Sequence, residues 1–279
     1  MYKKILVAVN EHLNSEAGGR YALNLARTAE AKLYLVFVAE KGMSSGDIGR
    51  AEEAMKRLFI EAKDAGLEAE AITETGDPVR KIYKLVKAEG IDLVFASTRR
   101  EDVKRRFYTG TVARRLSLGL TCSVALVRVV HLGRIRPTEI LVPLKARTGH
   151  VEERAYFAAK LAQAYGSTVH LFHAPKAISK FFHGEIHLTP LEWEEKLPPD
   201  ISGFKEQLKK YHVAHSGKLA PGRTGKSIAI EALSKRHDLI VMGASERSLI
   251  RSLFKGNPVE EVLRDTPSDL IILRPRIKT

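Results

Sequence analysis

The sequence is poor in cysteine, in tryptophan and in long apolar runs. Its single cysteine, Cys122, has no partner in the chain, so an intrachain disulfide is excluded. No apolar run approaches the roughly 20 residues that a membrane-spanning helix needs. The first residues carry two lysines but too short an apolar stretch for a signal peptide, and they are more typical of a first strand. These absences predict a cytoplasmic protein with no membrane span and no anchor.

Acidic residues are also scarce relative to basic ones. The chain has 46 Lys and Arg against 33 Asp and Glu, which gives a formal net charge of +13. Such an excess favours anionic partners, among them nucleotides, nucleic acids and acidic proteins. The hydrophobic content of 44% and the charged content of 28% are otherwise ordinary for a soluble globular protein.

What the sequence does contain is an internal repeat. The apolar run Asp238–Gly243 leads through a polar loop to a segment that begins at Gly256, and then to the run Asp269–Arg274. The same order occurs earlier in the chain, at Asp92–Ser97, Gly110 and Cys122–Arg128. A buried strand that ends in a turn, followed by a helix with free N–H groups, forms a crevice that suits an anion. The repeat predicts two domains, residues 1–130 and residues 137–279.

Within each half, apolar strands alternate with helices of amphipathic spacing. In the first half we predict strands at Lys4–Val9, Lys32–Val38 and residues 69–73, and helices at residues 15–31 and 47–65. In the second half we predict a strand at Glu139–Leu144, a helix at about Val151–Tyr165 and a strand at Thr168–Ala174. Five strands alternating with four helices indicate an α/β fold with a doubly wound, parallel, five-stranded sheet in each half.

Two copies of this order resemble the tandem-domain members of the universal stress protein family, over nearly the whole chain. In that family the nucleotide signature is Gly, two residues, Gly, nine residues, then Gly followed by Ser or Thr, with an Asp after the first strand. The resemblance implies two Rossmann-like, adenine nucleotide alpha hydrolase-like domains around a pseudo-twofold axis, with the two final strands antiparallel. It also implies a role in stress response and a site in which backbone N–H groups hold phosphates.

In the second half the signature is incomplete. Gly243 and Gly256 match the first and third glycines, whereas Glu246 occupies the position of the second glycine. A carboxylate there repels a phosphate and adds a side chain where the backbone should approach the ligand. The resemblance implies these candidate ligand-binding residues in this half: Lys145 at the Asp position, Ala174 beside the base, Gly243, Gly256 and Asn257.

The first half departs from the signature in a different way. Ser97 and Arg100 replace the first two glycines, while Gly110 and Thr111 match the third glycine and the residue after it. The basic loop Arg99–Arg106 could replace missing backbone contacts with side-chain cations. The candidate ligand-binding residues implied in this half are Asn10 at the Asp position, Val38 beside the base, Ser97, Gly110 and Thr111.

Two functions stay open at this point. One is a binding and signalling scaffold whose adenine-nucleotide sites are partly degenerate. The other is a nucleotide-dependent switch that retains ATP, ADP or AMP in at least one half, with slow ATP hydrolysis at most. No Ser-His-Asp or Cys-His arrangement is recognisable in the sequence, so no catalytic residue is predicted. Protein partners are unidentified, and pairing of two chains into a homodimer is a further alternative.

Four other patterns have simpler explanations than a site. Ala220–Ser227 resembles a phosphate-binding P-loop with its first glycine replaced, but it is better explained as the exposed first turn of a helix. The run Arg99–Arg106 is typical of a solvated basic loop, and nucleic-acid binding is the weaker interpretation. His170 and His173 are interpreted as packing or surface histidines, and no metal is predicted. Residues 176–203 are expected to form an irregular excursion.

Overall fold

Strands and helices alternate along the chain, and the computed structural model describes residues 1–98, 111–133, 135–173, 197–219, 224–244, 262, 266 and 268–277. The strands are β1 (Lys4–Val9), β2 (Lys32–Ala39), β3 (Ala69–Thr75), β4 (Leu93–Thr98), β5 (Ser123–Arg128), β6 (Glu139–Leu144), β7 (Thr168–His173), β8 (His215–Leu219), β9 (Leu239–Gly243) and β10 (Asp269–Arg274). The helices are α1 (Leu13–Ala29), α2 (Ser45–Asp64), α3 (Pro78–Glu89), α4 (Val112–Gly119), α5 (Val151–Tyr165), α6 (Pro199–Lys210) and α7 (Thr224–Ser234).

The strands form one continuous ten-stranded sheet in the order β3-β2-β1-β4-β5-β10-β9-β6-β7-β8. Within each half the five strands are parallel and follow the order of a doubly wound fold, which confirms the predicted fold class. The halves join where β5 and β10 pair antiparallel, with Arg128 opposite Leu270 and Val124 opposite Arg274. The two predicted sheets are therefore halves of a single sheet, because each final strand covers the open edge of the other.

Helices cover both faces of the sheet, and β1 shows why its sequence is apolar throughout. Ile5, Val7 and Val9 belong to the core formed with α1 and α2, whereas Leu6 belongs to the core formed with α3 and α4. Successive side chains of a strand point to opposite faces, so a strand buried on both faces needs apolar residues at every position. Ile5 and Leu6 are both fully buried.

Two buried arginines cross the junction between the halves in matching ways. Arg128 of β5 and Arg274 of β10 each donate hydrogen bonds from the guanidinium to two main-chain carbonyls of the other half. The accepting residues are Thr266 and Ser268 for Arg128, at 2.8 and 3.2 Å, and Leu120 and Cys122 for Arg274, with Leu120 at 2.8 Å. The two sets are related by the pseudo-twofold axis, so the junction is symmetric in its polar contacts as well as in its strands.

Helix ends differ from the predicted ones where the backbone conformation decides them. Helix α1 ends at Ala29 rather than at residue 31, because Glu30 adopts the left-handed conformation with φ 53° and its N–H bonds to the carbonyls of Ala26 and Arg27. The expectation of irregular structure over residues 176–203 is wrong at its end, since α6 begins at Pro199, where proline is tolerated in a first turn. Residues 174–196 lie outside the described part of the chain.

No helix among the described residues is both long enough and apolar enough to cross a membrane.

Candidate functional site

A cleft of about 690 Å³ opens at the carboxyl ends of β1, β2 and β4 in the first half. Strand β1 lies between β2 and β4, and the chain leaves β1 on one face of the sheet but reaches β4 from the other. Such a topological switch point is where open α/β sheets bind ligands. The cleft brings together Asn10, Val38, Ser97 and Thr111, which are all of the candidates of this half except Gly110. Gly110 lies outside the described residues.

Apolar side chains form the floor of the cleft. Val38 at the end of β2 and Ala96 in β4 are 6% and 3% exposed. Ile82 of α3 and Ala113 of α4 close the floor from the helix layer, and both are buried. Burial of apolar surface contributes about 25 cal/mol per Å², so this floor can hold a planar ring without any polar contact.

Asn10 follows β1 and shapes the turn into α1. Its side-chain oxygen accepts a hydrogen bond from the N–H of His12 at 3.0 Å, and its own N–H donates to Ser15 Oγ at 3.0 Å. The Ser15 hydroxyl donates back to the Asn10 carbonyl at 3.0 Å. These bonds leave the side-chain NH₂ of Asn10 without a hydrogen-bond partner in the described part of the chain, so the residue can donate to a ligand where an Asp would accept.

Thr111 caps the amino end of α4. Its hydroxyl accepts a hydrogen bond from the N–H of Arg114 at 3.3 Å, which satisfies one of the N–H groups that a first helical turn leaves open. The N–H groups of a first turn carry partial positive charge and point away from the helix. The α4 amino end therefore presents an anion-favouring edge to the cleft that Thr111 and Val112 line.

Charged side chains of both signs surround the opening. His12, Lys41 and Arg115 line it together with Glu11 and Glu40. The Arg115 guanidinium lies 3.3 Å from a carboxylate oxygen of Asp77, the capping residue of α3. Arg115 belongs to α4, whereas His12 and Lys41 follow β1 and β2.

Ser97 in β4 and Gly243 in β9 occupy equivalent positions in the two halves. Ser97 contacts α1 and Gly243 contacts α5, and the two contacts lie at equivalent positions of the helices. Helices α1 and α5 end at left-handed caps, Glu30 and Gly166, and counting back from these caps places Gly18 opposite Arg154. A Cβ on Gly18 would overlap the Ser97 hydroxyl, and a Cβ on Gly243 would overlap the Arg154 guanidinium, with Nε at 2.6 Å.

The same space is therefore filled by opposite partners in the two halves. In the first half the strand provides the side chain and the helix provides the glycine, whereas in the second half the helix provides an arginine and the strand provides Gly243. Burial lowers the pKa of the Arg154 guanidinium to about 10, which still leaves it charged at neutral pH. The second half thus holds a half-buried cation against Gly243, the glycine predicted at this strand end.

The remaining candidates of the second half are less informative. Lys145 follows β6 and is exposed, and its carbonyl accepts a hydrogen bond from the Thr148 hydroxyl at 2.7 Å. Ala174, Gly256 and Asn257 lie outside the described residues, as do the basic loop Arg99–Arg106, Glu246 and the first residues of the P-loop-like segment. Lys226 of that segment is exposed on α7, in agreement with its interpretation as part of a helical first turn.

Comparison with known proteins gives the family. A model of the universal stress protein family matches residues 1–128 and, a second time, residues 138–274. The chain belongs to the universal stress protein family. A universal stress protein of Staphylococcus haemolyticus is 28% identical over 155 residues, which cover 51% of this chain and 94% of the relative. Universal stress protein YxiE of Bacillus subtilis is 25% identical over 148 residues, which cover 46% of this chain and 100% of the relative.

The tandem arrangement has a counterpart among solved structures. The crystal structure of a universal stress protein from Archaeoglobus fulgidus superimposes with a TM-score of 0.64 at 17% identity, and the match covers 98% of this chain and 96% of that one. The match extends over both halves, whereas each curated relative spans about half of this chain. At this level of identity the likeness establishes the fold, and both domains of this universal stress protein share it.

Sequence reasoning missed further residues of the cleft wall, among them His12, Lys41 and Met43. A usable signal existed for the first two, since they follow the predicted parallel strands β1 and β2 within three residues. Arg154 carried no such signal. Its position in the first turn of α5 indicates a solvated cation, and only the glycine that faces it on β9 permits burial.

Proposed function

We propose that this universal stress protein acts in stress response as a nucleotide-dependent switch that binds an adenine nucleotide in the first-half cleft, and that it does not act as a catalyst. The single observation that carries the proposal is the convergence of Asn10, Val38, Ser97 and Thr111 on one cleft at the switch point of the sheet. These residues come from the ends of three different strands and the start of a helix. A volume of about 690 Å³ falls in the range of small-molecule sites.

Each side of the cleft matches one part of a nucleotide. The apolar floor around Val38 and Ala96 suits the adenine ring. Asn10 offers a side-chain donor at the position expected for the ribose, and the amino end of α4 at Thr111 suits a phosphate. Arg115 of α4 adds a side-chain cation at the same end.

The second half is assigned a scaffold role within this proposal. Exposed Lys145 replaces the acidic residue of the family signature, and the Arg154 guanidinium fills the space over Gly243. A cytoplasmic location is part of the same proposal.

The first experiment identifies the ligand directly. The full chain is purified, denatured at once, and the supernatant is analysed by mass spectrometry for ATP, ADP and AMP. Release of one of them in amounts comparable to the protein supports the switch. Absence of any nucleotide, together with no shift of the melting temperature on adding ATP, ADP or AMP, would overturn it and leave the scaffold function.

A charge-only pair of variants locates the site. Thr111→Asp and Thr111→Asn both retain a capping side chain for α4, but only the first places a carboxylate beside the phosphates. We expect Thr111→Asp to weaken ADP binding at least about tenfold relative to Thr111→Asn in calorimetric titrations, since like charges disfavour each other. Binding of adenosine, which lacks phosphate, should be equal in the two variants. Equal ADP affinity in both would place the phosphates elsewhere.

A further inference from the structure

Three potential metal ligands converge at the opposite edge of the sheet in the second half, remote from the strand ends that form the nucleotide cleft. Glu139 begins β6, His170 lies in β7 and His237 lies two residues before β9, which begins at Leu239. One ligand atom from each of them lies within 4.8 Å of the other two. The carboxylate of Glu139 contacts Nε2 of His170, and the two imidazole rings are 4.8 Å apart between centroids.

His237 lacks the hydrogen bonds that a buried imidazole needs. The residue is 6% exposed, and both of its ring nitrogens are buried without a hydrogen-bond partner among the described residues. Buried polar atoms of side chains are nearly always hydrogen-bonded, because a buried donor or acceptor without a partner loses its hydration without compensation. One ring nitrogen of His237 lies within 4.8 Å of the potential ligand atoms of Glu139 and His170, so an ion bound among these three atoms would supply the missing partner.

His170 is already held in the orientation that a metal ligand requires. Its Nδ1 is hydrogen-bonded to the hydroxyl of Ser216 on β8 at 2.8 Å, while its Nε2 faces Glu139. Metal-binding histidines typically fix the ring in this way, with one nitrogen bonded to a neighbouring protein group and the other directed at the metal.

The surroundings suit a divalent cation in size and charge. A cavity of about 320 Å³ adjoins the cluster, and Glu231 of α7 and Lys235, which directly follows α7, line it together with the three potential ligands. With neutral imidazoles, the two carboxylates and the lysine carry a net charge of −1. The cavity also has room for a water molecule beside the side chains.

We propose that Glu139, His170 and His237 form a binding site for a divalent transition-metal ion of the Zn²⁺ class. Two imidazoles and one carboxylate are a recurrent zinc ligand set, with water in the fourth position of the tetrahedron. Ligand atoms around tetrahedral zinc are about 3.4 Å apart, so a rotation of the Glu139 side chain away from direct contact with His170 admits the ion. The metal then satisfies His237 and links β6, β7 and the segment before β9.

Metal titrations of the full chain test the site. After removal of bound metal with a chelator, Zn²⁺ should bind one per chain in competition with a chromogenic chelator. His237→Asn and His170→Asn should each lower the affinity at least about 100-fold, because even residues that only orient a ligand contribute about 10–100-fold. Ser216→Ala should lower the Zn²⁺ affinity by about 10-fold or more, because the Ser216 hydroxyl orients the His170 ring. Co²⁺ should give the visible absorption of a tetrahedral complex, and His237→Asn should abolish it.

His212→Asn is the matched control. His212 is exposed and left-handed at φ 54°, a conformation that Asn tolerates, and it lies outside the cluster. The affinity of the His212→Asn variant for Zn²⁺ should equal that of the unchanged protein. Glu139→Gln, at a partly exposed position, replaces His237→Asn if the latter fails to fold by circular dichroism. Zinc affinity that is unaffected by Glu139→Gln and His170→Asn, or the absence of stoichiometric binding to the unchanged chain, would overturn the proposal.

Discussion

The two halves of this protein share a frame and differ in what they place at its edges. At the carboxyl edge, Ser97 packs against Gly18 in the first half, whereas Gly243 makes room for Arg154 in the second. The exchange of large and small partners keeps the helix-to-sheet packing intact. A glycine at the end of a strand can therefore leave space for the side chain of a neighbouring helix as well as for a ligand.

The amino edges differ in the same systematic way. The positions equivalent to Glu139, His170 and His237 hold Lys4, Tyr34 and Ile91 in the first half, as the strand registers show. There the polar groups are satisfied by Glu89, whose carboxylate accepts from the Tyr34 hydroxyl at 2.9 Å and lies 3.6 Å from Lys4 Nζ. The first half fills this edge with its own side chains, while in the second half both ring nitrogens of His237 lack a hydrogen-bond partner among the described residues.

The largest expected effect concerns what the halves have in common, the paired arginines of the junction. Arg128→Met and Arg274→Met each remove a guanidinium that serves two buried carbonyls. Since each unsatisfied buried group costs about 1–3 kcal/mol, we expect either variant to lower the free energy of unfolding by about 2–5 kcal/mol in urea titrations. The exposed Arg136→Met should change it by less than about 0.5 kcal/mol. A large loss of unfolding free energy in only one of the two arginine variants would show that the two sides of the junction are not energetically equivalent.

An intermediate effect tests the exchange of partners at the carboxyl edge. Gly243→Ala places a Cβ against the Arg154 guanidinium, the far end of a flexible side chain that must move aside, and should destabilise the protein by about 1 kcal/mol. The double variant with Arg154→Ala should recover part of that loss, giving a coupling energy of at least about 0.5 kcal/mol in a double-mutant cycle.

The mirror experiment in the first half combines Gly18→Ala with Ser97→Gly, and the same recovery is expected there. Additive effects in both cycles would show that neither contact limits the packing of the helices against the sheet.

The smallest expected effect concerns the loss of stability at acid pH, to which Glu16 of the first half should contribute and the equivalent Glu152 of the second half should not. Hydrogen bonds from Arg57, at 2.8 and 3.0 Å, and from Arg20 lower the pKa of buried Glu16, while the equivalent Glu152 of α5 is exposed. The folded state therefore binds the Glu16 proton less readily than the unfolded state. The stabilisation is fully present above the ordinary glutamate pKa of about 4.3 and is lost as pH falls through the lower folded value.

Accordingly, Glu16→Gln should cost about 1 kcal/mol at pH 7 and flatten the fall of the melting temperature in acid, whereas Glu152→Gln should do neither. Melting curves between pH 3 and about pH 7 measure both effects, and identical acid profiles for the unchanged protein and Glu16→Gln would contradict the assignment to this carboxyl.

Much of the fold could be predicted because it depends on local patterns. The strands at Lys4–Val9 and Glu139–Leu144 and the helix at Val151–Tyr165 have the bounds that periodicity predicts. Burial on both faces of a parallel sheet makes such strands apolar at every position. Helix ends were harder to predict, since the left-handed conformation of Glu30 follows from no residue preference.

The candidate residues of the first-half cleft were implied by the family resemblance, and the fold explains why they lie together. Asn10, Val38 and Ser97 lie at or next to the ends of neighbouring parallel strands, and the carboxyl ends of such strands meet at one edge. The cluster of Glu139, His170 and His237 was not predicted. The sequence analysis interpreted His170 and His173 as packing or surface histidines, and His173 is indeed hydrogen-bonded to the Leu144 carbonyl, whereas the residues beside His170 come from distant segments.

The sequence by itself determined the repeat, the alternation of strands and helices, and the edge at which the candidate ligand-binding residues lie, because these depend on residue spacing and on the direction of the chain. Only the tertiary structure decided that the two sheets are one, that the Arg154 guanidinium lies over Gly243, and that His237 lies beside His170. Those facts depend on strand order and register, which are set by contacts between residues far apart in the chain.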